Sequence, residues 1–268
     1  MAKRLFLPGT LLIFLFLIAL IGPALVSHDP QYIDVSQKLL APTRSHWFGT
    51  DQLGRDILSR LVSGARFSLF LALIITVLEV SIGSLVGLLV GWYQGRLEDG
   101  FLWLANVASA FPSFLLSLAA AGILGQGIVN MMVAIVMVEW IFYARLVANL
   151  VKTAKQEAYV MAAEMMGMST GHILRYHIFP FVYKPILVLA LMNIGNIILM
   201  ISSFSFLGIG VQPNITEWGM MLYDARPYFR TASWMMMAPG LAIFLTVLSF
   251  NVLSDAVEEK GWKHLWKG

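Results

Sequence analysis

The chain has no cysteine, which excludes disulfides, thiolate metal sites and cysteine nucleophiles. It is also poor in charge: only 12% of its 268 residues are Asp, Glu, Lys or Arg, against 59% hydrophobic, and mean hydropathy is +0.77. A water-soluble globule cannot hide that much apolar surface in one core, so lipid must cover part of it. No Gly-Lys pair occurs, so the P-loop pattern that cradles nucleotide phosphates is absent. No basic stripe with interleaved aromatics marks a nucleic-acid surface, and the net charge of +3 fits basic loops flanking a membrane.

What is present is a set of long apolar runs. A helix needs about 20 apolar residues to cross a bilayer. Six segments qualify: Phe6–Val26, Phe67–Gly91, Phe101–Ala121, Ile123–Ala144, Pro185–Leu207 and Ala232–Ser254. The first follows Lys3 and Arg4 but is too long for a signal-peptide core and lacks a small-residue cleavage site, so a retained helix is expected. The expected fold class is therefore an all-α polytopic membrane protein with six transmembrane helices. Lys and Arg placement puts both termini in the cytoplasm, with Arg96, Arg145, Lys152, Lys155, Arg175 and Lys184 in inner loops. The chain divides into residues 1–65 (first span plus an extracytoplasmic segment), a core over 66–256 with an inner loop at about 145–184, and a tail over 257–268. Trp262, Trp266 and the neighbouring lysines of that tail read as an interfacial anchor.

Gly83, Gly87 and Gly91 recur every four residues on one face of the second span, a pattern that lets another helix approach closely. Between the first two spans, Gly49 to Val62 reads as a capped amphipathic helix started by Thr50 or Asp51, with Leu53, Ile57, Leu58, Leu61 and Val62 on one face. An interfacial helix and a docking surface both fit it. In the inner loop, Glu157–Met166 is helical in propensity, Gly167 and Gly171 break it, and a second short piece ends at Pro180. Two short helices at an angle, carrying the small residues Ala162, Ala163 and Gly167, form a knob suited to a groove on a soluble partner.

Two acids fall inside spans, Glu79 and Glu139. Such residues usually face protein or water. Glu139 either lines a pathway for a cationic substrate, or pairs with Arg145 or a neighbouring subunit; Glu79 is a weaker pathway candidate. Glu217, Asp224 and Arg226 follow the fifth span and are candidates for docking an extracytoplasmic partner or for local pairing. The five histidines divide between outer loop (His28, His46), inner loop (His172, His177) and tail (His264), so no metal site is expected, and the 15 methionines read as membrane packing.

The spacing Ala162-Ala163-x3-Gly167-x10-Ile178-x-Pro180 resembles the ATPase-coupling loop of ABC-importer permeases, with Met161 where the family pattern has Glu. The resemblance extends through Gly49-Thr50-Asp51, Gly54-Arg55-Asp56, Phe111-Pro112, Tyr143-Ala144-Arg145, Ser205 to Val211, Glu217-Trp218-Gly219 and Asp224-Ala225-Arg226 to the dipeptide, oligopeptide and nickel branch, in particular its second, shorter permease. Gly122 to Asn130, Pro239 to Ala242 and Phe250-Asn251 lean towards nickel or metal-chelate members, with small peptides as the alternative cargo. The resemblance implies a type I ABC-importer transmembrane domain in a bacterial cell membrane. It also implies a homologous permease as heterodimer partner, two ATP-binding subunits and an extracytoplasmic solute-binding protein. The chain itself would be no enzyme and hold no cofactor; the partner subunits would use ATP and Mg. A secondary transporter is the weaker reading, since no internal repeat is visible.

Overall fold

The computed structural model describes residues 2–210 and 215–265, and within them it is helical, with a single isolated bridge between Thr50 and Asp56 in place of any strand. The helices are α1 (Ala2–Leu25), α2 (Ile57–Tyr93), α3 (Gly95–Ser109), α4 (Ser113–Leu124), α5 (Ile128–Lys155), α6 (Ala158–Met165), α7 (Thr170–Ile173), α8 (Phe179–Phe206), α9 (Trp218–Ala225) and α10 (Trp234–Leu265).

Four stretches are long and apolar enough to cross a membrane: α2, α5, the continuous run Thr170–Phe206, and Trp234–Asp255 of α10. A fifth arises if α3 and α4 together make one crossing. The protein is thus a multi-pass membrane protein. The third expected span, Phe101–Ala121, is not one continuous helix: α3 and α4 meet at 87°, with Pro112 at the corner. Proline supplies no N–H and clashes with the preceding turn, so the helix ends before it and restarts after it. The described apolar part of α1, Thr10–Leu25, is shorter than the other spans. Of the expected anchoring tail, Trp262 lies within α10, while Trp266 and Lys267 lie outside the described residues.

The glycine stripe does what its spacing predicts. A Cβ on Gly83 would sit 2.5 Å from the Tyr143 Cβ, on Gly87 2.6 Å from the Ala144 carbonyl oxygen, and on Gly91 2.7 Å from that of Ala148. Each is too close for any side chain, so α2 and α5 pack backbone to backbone, with Ala144 and Ala148 supplying the small residues opposite. Dispersion contacts of this density hold helices together where lipid removes the hydrophobic drive. The main core gathers Leu69, Ala72 and Ile75 of α2, Ala134 and Ile135 of α5, Ile197 and Phe204 of α8, and Trp218 of α9.

The sequence expectation for Gly49–Val62 needs correction. The backbone turns at Gly49 and Gly54, where φ is +76° and +77°, and the helix begins only at Ile57. Asp51 spends one carboxylate oxygen on the N–H groups of Leu53 (2.8 Å) and Arg55 (3.0 Å), a local turn that competes with helix. Asp56 is the actual cap, accepting from the Ser59 N–H at 2.8 Å. Leu58, Leu61 and Val62 therefore belong to the first turns of α2 rather than to a separate interfacial helix.

Candidate functional site

Three groups of residues stand out: a knob at one end of the helices, a charged box at the other, and two acids between them.

The knob is built from α6, α7 and the start of α8. Helix α6 closes with the Met168 N–H bonded to the Ala163 carbonyl (3.2 Å) and the Gly167 N–H to that of Glu164 (3.0 Å). That double closure needs a left-handed residue at Gly167, whose φ is +73°. Gly167 is thus required for its backbone; a Cβ there would meet nothing within 4 Å. Gly171, expected as a second breaker, lies inside α7, which Ser169 caps. Pro180 does not end the second piece either. Leu174–Ile178 form a π-turn in which the Phe179 N–H reaches back to the Leu174 carbonyl, and Pro180 falls in the first turn of α8, where its missing N–H costs little. The knob therefore runs without a break into a membrane-crossing helix.

Its small residues divide by role. Ala163 is buried with Val160, Ile173, Ile178 and Val182 against Val147 and Val151 of α5 and Trp92 of α2, so Ala163 and Ile178 form the knob's core rather than its displayed surface. Ala162, Gly167 and Pro180 are exposed. Beside them stand Met165 at 88% and Met166 at 69% exposure, which the sequence reading assigned to packing. Large apolar side chains this exposed next to the helix break leave an open apolar surface, and their flexible thioethers can adapt its shape.

At the opposite end, Arg55 and Arg60 are clamped between two aspartates. Arg55 Nε donates to Asp51 at 2.6 Å, and its Nη2 to Asp224 at 3.1 Å. Arg60 donates to Asp51 through Nη1 and to Asp224 through Nη2, the latter at 3.1 Å. Asp51, Arg55 and Arg60 are buried, and Asp224 nearly so. Of the two readings open for Glu217, Asp224 and Arg226, docking or local pairing, the structure gives Glu217 and Asp224 local partners. Glu217 is fully buried as the cap of α9, accepting from the N–H groups of Gly219 (2.8 Å) and Met220 (2.9 Å). Burial pushes its carboxyl up in pKa, against those hydrogen bonds. Trp218 beside it is buried and donates from Nε1 to the Leu61 carbonyl, and Gly219 lies against the Ser202 backbone, so this motif seats α9 between α2 and α8. Only Arg226 stays exposed, over the Phe206 and Tyr223 rings.

Between the two ends, Glu79 is wholly buried and accepts from Asn193 Nδ2 of α8 at 3.1 Å, leaving Oε1 unpartnered. Glu139 is half-buried, with one oxygen unpartnered and Ser113 of α4 beside it. The two acids lie within electrostatic reach of each other and of Tyr143. The Glu139–Arg145 pair does not form; Arg145 instead reaches Asn106 (3.3 Å) and Ser109 (3.4 Å) of α3.

Residues 83–261, two thirds of the chain, match the family described as binding-protein-dependent transport system inner membrane component. The chain belongs to that family. Among its relatives, the nickel transport system permease protein NikC of Escherichia coli K12 is 38% identical over 94% of this chain and 91% of its own. The dipeptide transport system permease protein DppC of Alkalihalophilus pseudofirmus is 37% identical, over 96% and 85%. The probable D,D-dipeptide permease DdpC of E. coli K12 is 35% identical, over 94% and 84%. These place this ABC-transporter permease in the peptide/nickel importer branch. In fold it is similar to a chain of the inward-facing MetNI methionine ABC transporter, with a TM-score of 0.55, 16% identity, and coverage of 74% of this chain and 94% of that one.

Proposed function

We propose that this permease forms half of a translocation pathway in a bacterial cell membrane. It does so with a homologous permease, two ATP-binding subunits and an extracytoplasmic binding protein, and it imports a nickel or other metal chelate. The comparably similar dipeptide permeases support small peptides as the second reading. In this reading α1 and the bent α3/α4 pair complete six crossings, both termini are cytoplasmic, and the knob faces the ATPase subunits. ATP and Mg act in those subunits.

The observation that carries the reading is the continuity of the knob with α8 through the π-turn, combined with its packing on α5. A push on Ala162, Gly167 and Pro180 is delivered to two spanning helices at once. Met165 and Met166 extend the same contact. Glu139, with no ion pair among the described residues, is the acid available to a positively charged cargo, while Glu79 is held by Asn193.

The test is coupled transport in reconstituted vesicles. Gly167→Arg, which strains the left-handed turn and crowds the contact, is expected to abolish ATP-driven uptake; a variant that still couples hydrolysis to uptake overturns the coupling role. Glu139→Gln is expected to lower uptake at least about 10-fold, the scale of one lost charge interaction. Uptake at wild-type rate and affinity removes Glu139 from the pathway. Competition between radiolabelled nickel, with and without small organic chelators, and dipeptides decides the cargo.

A further inference from the structure

The segment between α1 and α2 holds a group that the transport reading does not use. His28 lies just after α1, His46 in the turn before Gly49, and Asp56 caps α2. Their ligand atoms all fall within 4.8 Å of one another. The His46 Nδ1 is 2.9 Å from Asp56 Oδ1, and the His28 and His46 rings are 4.8 Å apart between centroids. His46 and Asp56 are buried, at 6% and 5% exposure, while His28 is exposed.

The surroundings orient these groups as a metal would need. Asp56 commits Oδ2 to the Ser59 N–H and turns Oδ1 towards His46. The second ring nitrogen of His46, Nε2, stands 2.7 Å from Gln37 Oε1. The Gln37 amide cannot simply flip, because its Nε2 donates to Asp34 Oδ2 at 2.9 Å. Gln37 thus holds the N–H on Nε2, the outer-shell arrangement that supports metal-binding imidazoles, and aims Nδ1 at Asp56 Oδ1, where an ion would take the place of the shared proton. The backbone around His46 is pinned as well, with its N–H on Thr43 Oγ1 and its carbonyl accepting from Thr43 and Gly49.

We propose that His28, His46 and Asp56 bind a divalent transition ion of the borderline class, Zn²⁺ or Ni²⁺, through His28, His46 Nδ1 and Asp56 Oδ1. Two imidazoles and one carboxylate are the donor set these ions take, with a fourth position left to water. Bonds of about 2.0 Å put tetrahedral ligands about 3.3 Å apart. The His46–Asp56 edge is nearly that already, and the exposed His28 ring has room to close the rest. Binding displaces the proton between His46 and Asp56 and ties the end of α1 to the start of α2. The site is separate from Glu79 and Glu139 and does not depend on which cargo the transporter carries.

The test uses the assembled transporter carrying a tag without histidine, stripped with chelator and dialysed against Zn²⁺ or Ni²⁺ alone, with bound metal counted per permease chain. Wild type is expected to retain one ion that His28→Ala loses or binds at least about 10-fold more weakly. His28 is exposed, so that variant is expected to fold. Gln37→Leu, which removes only the orienting carbonyl, is expected to weaken binding as well. X-ray absorption of the bound ion is expected to show two imidazole ligands in wild type and one in His28→Ala. Equal metal content in wild type and His28→Ala, or an absorption spectrum unchanged by that substitution, overturns the proposal.

Discussion

The two ends of the helices are built on opposite principles. The end holding Asp51 and Asp224 is closed by charge: two arginines and two aspartates from distant parts of the sequence neutralise one another out of water. The knob end is held by apolar packing around Ile173 and Ile178 and leaves methionines in the open. A buried ion-pair box resists rearrangement, because removing one member strands a charge. An apolar elbow with an exposed face can bind, slide and release. In the proposed coupling role, one end keeps its loops in register while the other is handled by a partner.

The largest effect should come from breaking the box. Asp51→Ala leaves two buried arginines to share Asp224 alone and is expected to destabilise the permease by about 3–5 kcal/mol, read as a lower melting temperature in detergent. If high salt lowers the wild-type melting point as much as the substitution does, the box is not the buried lock described here. Asp224→Asn keeps the shape and leaves Asp51 to hold both arginines. With 15% of the Asp224 side chain exposed, the expected loss is smaller, about 1–3 kcal/mol. Gly167→Ala at the knob, forced into a left-handed backbone, should cost about 1–2 kcal/mol, with reduced coupling. Met165→Asp should change stability by less than about 0.5 kcal/mol, being a surface substitution, yet weaken retention of ATPase subunits on purification. Normal retention in that variant would remove the methionines from the contact.

Local rules carried the sequence reading where the structure is itself local. Gly83, Gly87 and Gly91 announce a close helix contact because four residues are about one turn. The position of Gly167 announces a helix end because few other residues accept its φ. The same rules misplaced the start of α2, since Asp51 and Asp56 are equally good caps by type. Only the pull of Asp51 towards Arg60 and its own turn decides for Asp56. Glu217 could be read as docking or pairing, because nothing nearby in sequence shows that α9 plugs between α2 and α8. His28 and His46 share the outer loop in sequence, but no spacing there shows that their rings meet.

Composition and periodicity, acting over a few residues at a time, determined that this chain is a bundle of membrane-crossing helices with one tight glycine seam and a protruding elbow. The family motifs added which kind of bundle. Only the folded chain decided which charges are buried and with whom, because Arg55 meets Asp224 across 169 residues. Such a pairing depends on where the helices bring the chain back, and no local pattern encodes that.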